Sequence, residues 1–241
     1  MKRLALALLF VIVGCHRDKP RLSIGAAASL RTAMPELAAA YEAQGGAPVA
    51  LRFGASDALA KQLSAGAALD AVIVADESSL DDKLIVATSR RVIATNAIVL
   101  VGPAGSGIDF AHLGALPQDA KLAIGDPATV PVGRYARSYL QELGSWEALQ
   151  PRLVLGGDVA GVLALAQKGT ARVAIVYKSD ATLAAPLVVL DEPANAPVAR
   201  ITAGVVASTS HRSETDRFLA FLVSKEAQAI LARHALAPPR P

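Results

Sequence analysis

Two turns of the same make hold the residues best suited to chemistry. In Ser23-Ile24-Gly25-Ala26-Ala27-Ala28-Ser29-Leu30, a short apolar run passes through small residues into a serine and an amphipathic stretch. Phe53-Gly54-Ala55-Ser56 repeats the arrangement ahead of a second such stretch over 57–65. A serine that opens a helix has two uses. It caps the helix, its hydroxyl accepting a free N–H of the first turn. Alternatively, the first turn keeps those N–H groups and the positive end of the helix dipole for an anion, and the hydroxyl adds a donor. Ser29 alone reads most simply as a cap, and an anion site requires partners elsewhere in the chain.

Other candidates are sparse. Tyr177 follows a buried strand and is either a core tyrosine with a satisfied hydroxyl or a donor. Asp158 reads as an N-cap, Asp126-Pro127 as turn chemistry and Trp146 as packing. Asp70 and Asp76 lie at strand ends, where a structural role outweighs that of a carboxylate pair. Arg31 and Arg134 each fall in the first turn of an expected helix, where a cation is unfavourable. Either a nearby anion offsets that cost or both are solvated. The histidines, His16, His112, His211 and His234, are scattered, and Cys15 is the only cysteine, so no metal-ligand cluster is expected. Lys and Arg number 24 against 21 acidic residues. Without Lys2 and Arg3 the balance is close to neutral, which excludes a nucleic-acid footprint.

The elements that must position these residues alternate. Apolar residues make up 53% of the 241 and aromatics 4%, enough for a substantial core in one or two lobes. Lys2, Arg3 and the apolar run from Leu4 to Val13 form a signal-peptide pattern too short to span a membrane. It ends in Ile12-Val13-Gly14-Cys15, which resembles a bacterial lipobox. On that reading 1–14 is removed, Cys15 carries lipid, and 15–20 tethers the protein to a membrane that it does not span. An ordinary signal peptide with an incidental cysteine is the alternative, but a sole cysteine directly after the run has no disulfide partner.

From residue 21, strands are expected at 21–26, 48–53, 69–75, 91–95 and 98–102, with helices at 30–44, 57–65 and 76–84. Gly102-Pro103-Ala104-Gly105-Ser106-Gly107 punctuates the chain. A second series follows, with strands at 121–125, 153–155, 172–177, 186–190 and 199–207 and helices at 134–143 and 159–167. Two helices, about 213–222 and 224–234, close the chain, and Ala237–Pro241 is expected to fray. The pattern predicts an α/β fold with mostly parallel sheets flanked by helices. Lobe 1 would comprise 21–100 plus 200–241, and lobe 2, inserted in it, 101–199. α/β folds place ligands in such a cleft, facing helix N-termini.

Residues 22–236 resemble the periplasmic molybdate-binding proteins of ABC transporters. The resemblance rests on Ala26-Ala27-Ala28-Ser29-Leu30, Phe53-Gly54-Ala55-Ser56, Gly66-Ala67-Ala68-Leu69-Asp70 with Ala75-Asp76, Gly125-Asp126-Pro127 with Val130-Pro131-Val132-Gly133, Leu143-Gly144-Ser145-Trp146, Gly157-Asp158-Val159 and Ile175-Val176-Tyr177-Lys178-Ser179-Asp180. Each motif is weak alone; their order across nearly the whole mature chain is specific.

The resemblance implies the two-lobe, type II periplasmic-binding-protein fold and a tetrahedral oxyanion, molybdate or tungstate, held without a charged side chain. Ser29 and Ser56 would donate hydroxyl and backbone N–H bonds, Val132 and Val159 backbone N–H groups, and Tyr177 its hydroxyl. These five are the oxyanion ligands, and so the molybdenum or tungsten site. Nothing but the resemblance singles out the two valines. The family usually has alanine in place of Val132, so the pocket is expected to be tighter or tilted here, and Asp57 is an awkward neighbour for a dianion unless it turns outward. Further implications are no catalytic residue, no cofactor, a monomer, a hinge near 98–104 and 192–201, and delivery to an ABC permease from an extracytoplasmic, lipid-anchored position. Rival readings are an enzyme on the same fold, which lacks a nucleophile–base pair here, and a lipoprotein that binds sulfate or senses an oxyanion.

Overall fold

The computed structural model describes residues 20–239; the signal-peptide pattern and Cys15 lie outside the described residues. Strand β1 (Leu22–Ala27) runs between β2 (Val49–Gly54) and β3 (Ala71–Val74), parallel to both. Helix α1 (Ala33–Ala43) carries the chain from β1 to β2, and α2 (Ser56–Ser64) from β2 to β3. The second lobe repeats this plan. Strand β5 (Leu122–Gly125) lies between β6 (Leu153–Gly156) and β7 (Val173–Tyr177), parallel to both. Helices α3 (Pro131–Glu142) and α4 (Trp146–Leu149) connect β5 to β6, and α5 (Val159–Gln167) connects β6 to β7. Helix α6 (Lys178–Ala181) follows β7 directly. Strands β1, β3, β5 and β7 are covered by helices and read as apolar runs, as buried parallel strands do.

One strand joins the lobes. Strand β4 (Arg91–Gly102) pairs antiparallel with β9 (Val198–Val205) as far as Ala97, opposite Val198. From Ile98, opposite Tyr177, it pairs with β7, and from Leu100 also with β8 (Val188–Asp191). The path through all strands but β8 is β2-β1-β3-β9-β4-β7-β5-β6. The sheets are more mixed than the alternation of strand and helix suggests: β3–β9, β4–β9, β4–β7 and β4–β8 are antiparallel. All four involve β4 or β9.

Helices α7 (Arg212–Phe221) and α8 (Lys225–Arg233) return to the first lobe. The Tyr41 hydroxyl of α1 donates to Glu214 Oε1 at 2.7 Å, and its ring lies edge-on to Phe218 with centroids 5.1 Å apart. Among the described residues, no helix is long and apolar enough to cross a membrane.

Three expectations fail locally. The helix expected over 76–84 reduces to a 3-10 turn at Glu77–Ser79, because the Asp76 carboxylate takes the Ser78 N–H at 2.9 Å and its hydroxyl at 2.8 Å. Such local bonds compete with helix. The strands expected at 91–95 and 98–102 are one. Asn96, whose polarity reads as a break, is buried within the strand, and its amide donates to Ser179 Oγ at 2.8 Å. Within 237–241, expected to fray, Ala237 is held by backbone hydrogen bonds of 2.7 and 2.9 Å with Thr95, while Arg240 and Pro241 lie outside the described residues.

Candidate functional site

Strand register decides which turns meet. In the first lobe Ala27 is opposite Gly54, so Ser29 and Ser56, each two residues further on, leave the same edge of the sheet side by side. In the second lobe Gly125 is opposite Gly156, and Val132 and Val159 follow. Val132 is the second residue of α3 and Val159 the first of α5, so neither N–H has a helical acceptor. Two glycines allow these helix starts to sit so close to their strands. A Cβ on Gly133 would lie 2.0 Å from the Gly125 carbonyl oxygen, and one on Gly156 2.7 Å from the Val162 nitrogen. Tyr177 ends β7 beside the crossing. Ser29, Ser56, Val132, Val159 and Tyr177 all line one small cavity. The remaining wall is alanine, glycine, Val130, Pro131 and Asp158.

The hydroxyls define its chemistry. Ser29 is not a helix cap. It lies in a 3-10 turn at Ala28–Leu30, and the N-cap of α1 is Thr32, which makes no side-chain cap bond. Its Oγ is buried and, among the described residues, has no hydrogen-bond partner. Tyr177 Oη is in the same condition. Burial pushes the Tyr177 phenol well above its ordinary pKa, so it keeps its proton and remains a donor. An unpaired buried hydroxyl costs about 1–3 kcal/mol, and two around one cavity call for an acceptor between them. Ser56 is not the cap of α2 either; Ala55 is. The Ser56 oxygen accepts the Ala75 N–H at 3.0 Å, which leaves its proton to donate.

The charged neighbours are turned away or neutralised. Asp158 caps α5 as expected, accepting the Gly161 N–H at 2.7 Å, with its other oxygen 3.9 Å from Arg31 Nη2. Arg31 Nε donates to the Ala28 carbonyl at 3.0 Å. Asp57 points outward. It accepts bonds from Arg134 Nη1 at 2.9 Å and Nη2 at 3.2 Å, and from the Ser79 hydroxyl at 2.5 Å. Arg134 Nε reaches Asp76 at 3.0 Å. Burial alone would raise the Asp57 carboxyl, but these bonds and the guanidinium charge hold it below the ordinary range. Arg31 and Arg134, for which a nearby anion or solvation was expected to offset the cost of a first-turn cation, lie beside carboxylates, Arg31 by Asp158 and Arg134 by Asp57 and Asp76.

Asp70 and Asp76 do not form a pair. Asp70 takes the Ser23 N–H at 2.7 Å and the Thr209 hydroxyl at 2.5 Å. Asp126 accepts the Ala128 N–H at 2.9 Å, a turn bond, and the Trp146 ring stacks under Arg137 at 5.4 Å. Sequence reasoning missed Ser179, whose hydroxyl donates to the Ser29 carbonyl at 3.2 Å while accepting from Asn96. That bond spans 150 positions, and no local pattern announces it. Larger depressions, such as one of about 1020 Å3 beside Asp70 and His211, are weaker candidates, because the Asp70 carboxylate there is already paired.

A two-lobed α/β protein whose lobes close on a small cavity of hydrogen-bond donors is a solute-binding protein by architecture. The chain belongs to the bacterial extracellular solute-binding protein family, whose sequence profile matches residues 22–236. It is 38% identical over 186 residues to the molybdate-binding protein ModA of Escherichia coli (strain K12), covering 73% of this chain and 72% of that one. A Bacillus subtilis (strain 168) protein, provisionally named the ABC transporter substrate-binding lipoprotein YvgL, is 30% identical over 246 residues, covering 95% of this chain and 94% of the relative. The solved Azotobacter vinelandii periplasmic molybdate-binding protein shares the fold, with a TM-score of 0.81 at 23% identity over 91% of this chain and all of the other.

Proposed function

We propose that this protein captures molybdate, and tungstate with it, and hands the ion to an ABC permease. Lobe 1 (21–100 with 200–241) and lobe 2 (101–199) would close on the ion by bending at the crossings near Ala97 and between β8 and β9. The ligands would be Ser29, Ser56, Val132, Val159 and Tyr177, and lipid on Cys15 would hold the protein at an extracytoplasmic membrane surface. The observation that carries this reading is the pair of buried, unpartnered hydroxyls, Ser29 Oγ and Tyr177 Oη, on one cavity. Helix N-termini and hydroxyls stabilise a dianion by dipoles and charge-assisted hydrogen bonds. The relatives named for molybdate support the choice of ion.

A wall of donors also selects. Molybdate, tungstate and sulfate are fully deprotonated at neutral pH, whereas phosphate keeps a proton and would set donor against donor. Molybdate is then favoured over sulfate by size. A ligand that binds only the folded state stabilises by mass action, so thermal unfolding tests the reading. Molybdate and tungstate should raise the melting temperature strongly, sulfate much less and phosphate almost nothing. Equal shifts with phosphate would overturn the reading.

A further inference from the structure

The ion cluster beside the cavity crosses the cleft. Arg134 belongs to α3 of the second lobe, two residues after Val132, and Asp57 belongs to α2 of the first, one residue after Ser56. The guanidinium grips Asp57 through Nη1 and Nη2 and Asp76 through Nε. The three side chains are only 30%, 23% and 16% exposed. A bidentate, partly dried arginine–carboxylate pair fixes geometry as well as adding energy. Its two ends are rooted in the first turns of the two helices whose N-termini face each other across the cavity. Among the described residues, the side-chain bonds of Arg134 all reach the opposite lobe, to Asp57, Asp76 and, at 3.5 Å, the Ser79 hydroxyl.

We propose that Arg134 is a positioning residue for the bound anion: by clasping Asp57 and Asp76 it holds the start of α3 against the start of α2 and sets how slowly the ion leaves. The proposal rests on reading the cavity as an oxyanion site. It differs from simple attraction, because Arg134 and its two carboxylate partners together carry a net negative charge. A clasp acts on escape from the closed form; charge attraction acts on the sign of the field around the ion.

Stopped-flow displacement of molybdate from the full chain separates these roles. Arg134→Gln should speed dissociation roughly tenfold, the scale of a bidentate but partly exposed pair, and Arg134→Lys should restore part of the loss. Asp57→Asn should also speed dissociation, by a few-fold, although it makes the cluster less negative. The melting temperature of the ligand-free protein should stay within about 2 °C in all three, a readout that an internal brace would move. Opposite effects of Arg134→Gln and Asp57→Asn on dissociation overturn the clasp, as do unchanged rates. If the wild type takes up no molybdate, the reading of the cavity fails separately. Small-angle scattering then judges the clasp: a larger radius of gyration for Arg134→Gln sustains it, and an equal one overturns it.

Discussion

Among the described residues, Ser29 and Tyr177 hold buried hydroxyls without a partner, whereas the Ser56 oxygen is already tied to the Ala75 N–H. The three therefore separate in a mutational test. Ser29→Ala and Tyr177→Phe each remove a hydroxyl that bonds no other described residue. Neither should lower the melting temperature of the ligand-free protein, and both should weaken molybdate binding by about 1.5–3 kcal/mol, roughly 10- to 150-fold. Ser56→Ala should do both, because it also strands a buried N–H at a cost of about 1–3 kcal/mol. Calorimetric titration with thermal unfolding of each variant checks the pattern. A large stability loss in Ser29→Ala without a change in affinity would return that residue to the role of a cap. At this scale the sequence was a partial guide. Serines after small-residue turns marked Ser29 and Ser56, but valine side chains carry no trace of a backbone donor, so Val132 and Val159 came only from resemblance. Arg134 stood out as a cation in the first turn of a helix, and Asp57 as a carboxylate that had to turn away, but their pairing joins residues 77 positions apart and, like the Ser179 bond, has no local signature.

The two lobes are one motif used twice: a middle strand, a helix, an edge strand, a helix and a third strand, in the orders β2-β1-β3 and β6-β5-β7. Ser29 and Val132 follow the two middle strands, Ser56 and Val159 the two edge strands. No short-period repeat is visible in the sequence, because what repeats is topology. The helix starts of the second lobe depend on close approach, which makes Gly133 a test of the element. Gly133→Ala places a methyl 2.0 Å from a carbonyl oxygen, so the start of α3 must shift. Overpacking of this kind costs about 1–3 kcal/mol, and the Val132 N–H moves with the helix. The melting temperature and molybdate affinity should fall together. Gly161→Ala in α5 is the control: its Cβ would meet nothing nearer than 3.5 Å, so it should fold and bind as before. Element types and order were largely legible, since apolar runs and helical spacing are local. The continuity of β4 was not, because the partner that satisfies Asn96 lies in the other lobe.

At the scale of the whole molecule, the proposed anchor would place a closing cleft on a short leash of six residues at a membrane. Cys15→Ser should move the protein from the membrane fraction to the soluble one, or block removal of the leader, when cells are fractionated; a processed variant that stays on membranes would contradict lipidation. The way the strands interleave has another consequence. Residue 71 pairs with 205, and Ala94 with Ile201, so the first lobe's sheet takes its last strand from a segment that follows the whole second lobe. Helix α7, which covers Tyr41, and α8 after it come later still. A chain emerging from its N-terminus therefore has no finished first lobe until its final fifth is present. Long-range pairings of this kind are slow to form. Threaded through a secretion channel, such a chain would arrive on the far side still loose enough to pass, and would gain its lasting shape only after the end was through.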